Sequence, residues 1–321
     1  GSRMSAGVAA PVSPARGGLK SLLEAAVADG TVIQQNVSLA ELTTLRVGGQ
    51  ADWFAEPQSQ ADLSALVSAC REHGLPVTAL GLGSNFLVLD SGVRGVTVRL
   101  SAGVFAGIEA DGSRLNCGAA ARMKKVAAEA RRCRLAGMEF LEGIPGSVGG
   151  GLRMNAGAMG SELFDVVETV RFMDPAGEVF EMSAESIEST YRSCPLLKNQ
   201  IALGAVLKGE PDTGEAIAAR MAEYSQKRWG SQPKARSAGC IFKNPEGIPA
   251  GKLVDELGLK GATEGGAMVS QEHGNFIVNN GDATAGDILR LIDRIRERAL
   301  GERGIELQTE VQIIGGEDRD V

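Results

Sequence analysis

Aromatic and imidazole side chains are scarce in this chain: of 321 residues, 4% are Phe, Trp or Tyr, and only His73 and His273 are histidines. The five cysteines contain no Cys-x-x-Cys pair, and with so few histidines neither a zinc site nor a disulfide framework is indicated. Free thiols in odd number fit a reducing compartment, so a cytoplasmic location is expected. There is no basic excess either. Lys and Arg number 33 against 40 Asp and Glu, a net charge of −7, which excludes a broad surface for a nucleic-acid backbone and leaves room for small acidic ligands at local clusters. No apolar run approaches the roughly 20 residues of a membrane helix, and no membrane partner is expected. The opening stretch lacks an apolar signal core. Gly1 to Arg3 read as a cloning scar ahead of Met4, and residues 1–18 together as scar and disordered leader. Two phosphate-binding signatures are missing as well: GxGxxG opening a helix, with an acidic residue about 20 positions on, and GxxxxGK[ST].

Glycine is abundant, at 43 residues, and its placement is uneven. Between glycine clusters the periodicities are regular. Leu19, Leu22, Leu23, Ala26 and Val27 mark one helix. Leu63, Leu66, Val67 and Cys70 mark a second, capped by Ser59 with Asp62. "LPVTAL", "FLVLD" and "VTVRL" read as strands, Asp111-Gly112 and "DPAG" as hairpin turns, and Met123, Val126, Ala127 and Ala130 as a helix with a basic outer face. Cys117 falls on the strand returning from the Asp111-Gly112 turn, and Cys133 reads as structural. A polar connecting helix from Asp212 to Arg228 precedes a change to α+β composition. The fold class is therefore α+β, with a first domain over 19–209 and a second over 210–321. In the second, Cys240 lies on a strand and a helix runs from Pro249 to Leu257. Thr284 with Asp287 opens a long helix, and an alternating strand from Ile305 to Ile313 closes the chain.

Two loops hold most of the chemical signal, "GLGSN" (81–85) and "GIPGSVGGGLRMNAGAMG" (143–160). Successive backbone N–H groups in such loops can cradle a pyrophosphate without using side chains, and two of them suit a dinucleotide; the plain alternative is a pair of tight turns. Cys240, in "SAGCIFKNP", reads by itself as core filler more readily than as a reagent, and Arg192 after Tyr191 reads as a surface residue. Glu310, among polar companions, reads as a solvated strand face.

The second loop, with "TTLRVGG" (43–49), "YRSCPL" (191–196), "SAGCIFKNP" (237–245) and "HGNFIVN" (273–279), resembles the UDP-N-acetylenolpyruvoylglucosamine reductase family, in order along most of the chain. The resemblance implies an FAD-binding domain of the vanillyl-alcohol-oxidase or PCMH type with a smaller C-terminal substrate domain, and non-covalent FAD with NADPH as co-substrate. UDP-N-acetylglucosamine enolpyruvate is the implied partner of a monomeric enzyme without metal. Carried over by position, flavin contacts fall on Gly81, Gly83, Ser84, Asn85 and Phe86. On the second loop they fall on Ile144, Pro145, Gly146, Ser147, Gly149, Gly150, Asn155, Ala156 and Gly157, with Arg46 near the cofactor. The resemblance further implies that Arg192 polarises the substrate carboxylate, that Glu310 assists it, and that Cys240 stands where many members carry a proton-donating serine. Tyr191, Arg228, Gln232, Lys243, Asn244 and Lys252 are candidate substrate contacts. No tyrosine follows Tyr224, so the chain matches the shorter subtype without a tyrosine-bearing loop.

Two readings compete with this one. Another oxidase or dehydrogenase on the same flavin fold would lack a use for the Arg192, Cys240 and Glu310 set. A flavin- or nucleotide-sugar-binding protein without turnover would hold FAD and show no bleaching by NADPH.

Overall fold

The computed structural model describes residues 16–229, 233 and 235–316. Most of the expected leader and Gln232 lie outside the described residues, as does the side chain of Arg228. The last residues of that leader belong to helix α1 (Arg16–Ala26), which buries Leu23. Strands β1 (Ile33–Ser38) and β2 (Gln50–Ala55) lead to α2 (Gln60–Glu72), whose first turn is capped by Ser59 Oγ accepting from the Asp62 N–H at 3.0 Å. Then come β3 (Val77–Leu80), β4 (Phe86–Val88) and β5 (Val93–Arg99). The sheet order is β1-β2-β5-β3, antiparallel at β1/β2 and parallel elsewhere. Leu63, Leu66, Val67 and Cys70 of α2 share its core with Trp53, Val96 and Val98, so Cys70 is core, as its spacing implied.

A second sheet follows. Strands β6 (Ile108–Asp111) and β7 (Arg114–Gly118) form the hairpin expected at Asp111-Gly112. After α3 (Met123–Arg132) and the short α4 (Val148–Met154) come β8 (Val167–Met173), β9 (Val179–Ser183) and β10 (Ile201–Lys208), with Met173 facing Val179 across the "DPAG" turn. The five strands are antiparallel in the order β9-β8-β10-β7-β6. Helix α5 (Gly214–Trp229) packs here too: Ile217 and Met221 join the core of α3 and the sheet, and Arg220 Nε meets the buried Glu139 carboxylate at 2.8 Å. The expected division at Gly209 therefore separates α5 from the core into which Ile217, Met221 and Tyr224 pack.

The second lobe holds α6 (Ala250–Glu256), a small sheet of β11 (Thr263–Glu264), β12 (Ala267–Val269) and β13 (Ile277–Asn279), and α7 (Ala285–Arg303) with the expected Thr284/Asp287 capping box. Two expected strands are shorter than their patterns. Cys240 lies on irregular chain, since Gly239 turns at φ 73° and only Ser237 and Phe242 make isolated bridges. The closing strand is β14 (Gln312–Ile314) alone, because the segment changes partners: Thr309 pairs with Phe242 of the second lobe, whereas β14 runs parallel to β4 of the first.

The lobes are joined firmly. Leu45, Val47 and Leu87 belong to the same core as Ile288, Leu291 and Ile292 of α7. Asp90 accepts the Ala285 and Gly286 N–H groups at 2.9 Å, and Thr44 Oγ1 donates to the Ser237 carbonyl at 2.7 Å. Buried Asn279 donates to the Leu45 carbonyl at 2.9 Å and accepts from Gly281 and Ala283. Asn279→Ala should remove all three bonds and leave buried partners unsatisfied, a loss of about 3 kcal/mol that urea unfolding monitored at the two tryptophans would read. An unchanged midpoint would show that the Asn279 bonds add nothing to the lobe contact.

Candidate functional site

Between the lobes lies a cavity of about 360 Å³, and both glycine-rich loops line it. Each loop is shaped by contacts with the other chain segments. Gly83 turns at φ 73°, where a Cβ would strike the Leu42 carbonyl, and its own carbonyl accepts the Thr44 N–H at 3.0 Å. Gly146 turns at φ 101°, and a Cβ there would stand 2.8 Å from Ser84 Oγ, so the two loops touch. Among the described residues, no backbone N–H from Leu82 to Asn85 donates to another backbone group, and all four residues line the cavity. Gln312 also lines it, with its Oε1 buried and unpartnered.

At the far side of the cavity three groups meet. Arg192 sits in a two-residue turn, held by mutual backbone bonds of Thr190 and Ser193, at φ 51°. Its Nε donates to Glu310 Oε1 at 2.9 Å and its Nη2 to the Gly157 carbonyl at 3.0 Å, while its guanidinium lies 4.8 Å from the Tyr191 ring centre. Both partners of the pair are largely buried, at 16% and 11% side-chain exposure, so this is not a solvated face. Burial pushes the Glu310 carboxyl up, and Arg192 pulls it back toward the charged form. Cys240 lines the same wall. Burial first, then the negative charge of Glu310, pushes its thiol up to about 12 against the opposing pull of Arg192. Its placement depends on buried Asn275, whose side chain bonds both the N–H and the carbonyl of Phe242, at 2.9 and 2.8 Å, while its carbonyl accepts the Ile241 N–H.

Most of the residues expected at the site are brought together. From the first loop, Gly81, Gly83, Ser84, Asn85 and Phe86 line the cavity; from the second, Ile144, Pro145, Gly146, Ser147, Gly150, Ala156 and Gly157 do so. Tyr191 and Asn244 stand at its rim, the Tyr191 hydroxyl accepting the Asn244 N–H at 3.3 Å. Gly149 lines an adjoining recess instead. Asn155 is behind the wall: it bonds the Glu162 carboxylate, the Thr190 carbonyl and the Phe164 N–H, and so positions the Arg192 turn. Arg46 departs from expectation. It is exposed, outside the cavity lining, with a left-handed backbone (φ 60°), and its side chain donates to the Glu41 carbonyl. Lys252 is likewise exposed on α6 and outside the lining, whereas Lys243 lies near enough for its charge to act on Glu310. Asn275, Thr44 and Gln312 were not foreseen; an Asn inside the apolar "HGNFIVN" run was the one available signal for the first.

Free N–H donors, a glycine cradle that leaves no room for Cβ atoms and an orphaned acceptor fit a flavin dinucleotide. Comparison with known proteins agrees. Residues 51–183 match the FAD-binding domain profile, and residues 232–314 match the profile of the UDP-N-acetylenolpyruvoylglucosamine reductase C-terminal domain. The reductase of that name from Methylorubrum extorquens is 43% identical over 88% of this chain and 92% of its own length. The one from Paramagnetospirillum magneticum is 44% identical over 86% and 90%. This chain belongs to the UDP-N-acetylenolpyruvoylglucosamine reductase family. The crystal structure of the Thermus caldophilus reductase superposes with a TM-score of 0.77 at 38% identity, covering 88% of this chain and 99% of that one. The α+β fold with an FAD-binding domain is thus that of the reductase family, and FAD is its cofactor.

A thiol with its pKa pushed up to about 12 is neutral throughout the physiological range. Iodoacetamide, which reacts with thiolates, should leave Cys240 unmodified in the folded protein at pH 8.5 and modify it in urea. Peptide mass spectrometry distinguishes the sites; rapid labelling of Cys240 in the folded protein would contradict the burial argument.

Proposed function

We propose that this chain reduces the enolpyruvyl group of UDP-N-acetylglucosamine enolpyruvate to the lactyl group of UDP-N-acetylmuramate with NADPH, a step in making peptidoglycan precursors. The observation that supports this most is the convergence of Arg192, Glu310 and Cys240 on one wall of the cavity lined by both flavin loops. FAD, when bound, supplies a hydride that it has received from NADPH. The protein's part is then to hold the substrate carboxylate and provide a proton. Hydride arriving at C3 leaves an electron pair at C2, delocalised into the carboxylate. The Arg192 guanidinium, fixed by Glu310 and the Gly157 carbonyl, stabilises that charge. The Cys240 thiol gives its proton to C2, and the resulting thiolate regains one from solvent. Hydride and proton together saturate the double bond. The glycine loops hold the cofactor without covalent attachment, since no His or Cys occurs in them. We take the enzyme to act as a monomer in the cytoplasm; its five cysteines are free, and no described helix is long and apolar enough to cross a membrane.

The direct test is an absorbance spectrum taken anaerobically: NADPH should bleach the flavin, and the enolpyruvyl sugar should restore it. Bleaching without recovery would favour a different substrate on the same fold. Cys240→Ser should keep substantial activity, because a hydroxyl can donate from the same place, whereas Cys240→Ala should lose reoxidation by roughly 10²- to 10⁴-fold with flavin reduction intact. A core-filling cysteine would show the opposite order. Arg192→Lys should be severely impaired in reoxidation alone, since an ammonium cannot bond the Glu310 carboxylate and a substrate carboxylate in the same plane. Equal damage to both half-reactions would assign it a structural role.

A further inference from the structure

The run "HGNFIVN" (273–279) brings Asn275 to the cavity and opens on a histidine that does not line it. His273 is half-buried, and its ring is wedged between two elements. A Cβ on Gly251 of α6 would stand 2.8 Å from its Cε1, and the Phe276 ring meets it edge-on with centres 4.9 Å apart. In this seat Nδ1 accepts the Asn275 N–H at 3.0 Å, so the proton of the neutral ring is on Nε2. Burial, followed by the charge of Lys260, pushes the imidazole down and favours that neutral form. The turn itself closes without this bond. Ser270 Oγ accepts the Glu272 and His273 N–H groups at 3.1 and 3.3 Å, the Ser270 N–H donates to the Phe276 carbonyl at 2.9 Å, and the Phe276 N–H to the His273 carbonyl at 3.1 Å. What the imidazole adds is the orientation of the Asn275 backbone.

From Asn275 three bonds reach the two residues after Cys240. Its carbonyl accepts the Ile241 N–H at 2.9 Å, and its side chain accepts the Phe242 N–H and donates to the Phe242 carbonyl. The Ile241 carbonyl in turn accepts the Glu310 N–H at 2.8 Å. Among the described residues, none bonds the backbone of Cys240 itself, and Gly239 before it turns at φ 73°, so the thiol is placed by the residues that follow it. We propose that His273 is a positioning residue for proton transfer: through Asn275 it fixes Ile241 and Phe242, and so aims the Cys240 thiol at the substrate carbon. The inference rests on the reading of Cys240 as proton donor and gives a part to a residue outside the cavity. Proton transfer needs the donor within hydrogen-bond reach of the reacting atom, so a small displacement slows it while the fold stays intact. Flavin reduction by NADPH takes no proton from Cys240 and is indifferent to that displacement.

The test is a stopped-flow measurement of both half-reactions on FAD-loaded protein, with His273 variants made alone and together with Cys240→Ala. His273→Phe keeps a ring in the seat and removes the acceptor. His273→Asn keeps an acceptor, because an Asn side chain can take the N–H two residues on. His273→Phe should slow reoxidation by the enolpyruvyl sugar about tenfold, raise the solvent deuterium isotope effect on that step, and leave reduction by NADPH within about twofold. His273→Asn should recover most of the loss. Added to Cys240→Ala, His273→Phe should slow reoxidation no further, since no donor remains to be aimed. Unchanged reoxidation in His273→Phe, equal slowing of both half-reactions, or the full loss repeated on top of Cys240→Ala would each overturn the assignment. Should His273→Phe fail to fold, the smaller His273→Leu is read in the same way. Intact reoxidation in Cys240→Ala would instead overturn the donor reading, and this inference with it.

Discussion

The ion pair between Arg192 and Glu310 joins the two lobes at the point where chemistry is proposed, and much of the local structure exists to make it possible. Two charges taken out of water are stable together only when geometry is good and the remaining polar atoms are bonded. Arg192 meets this with its second bond to the Gly157 carbonyl, and Gly157 must lack a side chain, since a Cβ there would come within 2.7 Å of the guanidinium. The turn bearing Arg192 is fixed from behind by Asn155. Glu310 is fixed by its own backbone, whose N–H bonds the Ile241 carbonyl at 2.8 Å. A carboxylate from one lobe and a guanidinium from the other make the docked arrangement of lobes a condition of the site.

Burial, and after it the same pair, sets the state of Cys240. A lone guanidinium beside a buried thiol would favour the thiolate; a carboxylate beside it, together with burial, outweighs that influence and keeps the proton on sulfur. The result is a neutral donor beside a group that binds anions. Replacement of a serine hydroxyl by a thiol therefore leaves the protonation state unaltered, and the donor remains the more acidic of the two.

Local pattern carried the fold well where each element has one partner. The capping residues Ser59 and Thr284, the hairpins at Asp111-Gly112 and "DPAG", and the apolar face of α2 all depend on neighbours within a few residues. The closing segment was misjudged for the converse reason: alternation from Ile305 to Ile313 records burial against two successive partners, which periodicity cannot separate from one long ladder. The polar composition of α5 reads as that of a connector, yet Ile217, Met221 and the ion pair of Arg220 with Glu139 seat it on the first lobe. At the site, motif likeness singled out both loops and Arg192, Cys240 and Glu310, all of which line one cavity. It could not locate Asn275 or Asn155, whose work is to hold backbone, nor foresee that Arg46 turns outward.

The loops that line the cavity are shaped by contacts within the chain. Gly83 closes against Leu42, Gly146 against Ser84, and β14 pairs with β4 immediately after Asn85, so folding itself fixes the donors in position. The ordering cost that a mobile phosphate loop would meet on binding is therefore already met, and more of the contact energy appears as affinity. The rim differs from these loops. Tyr191 is 41% exposed and bonds only the backbone of Asn244 across the mouth, at 3.3 Å, on a segment without a long strand to brace it. That single hydrogen bond ties the turn bearing Arg192 in the first lobe to the second lobe across the mouth of the cavity.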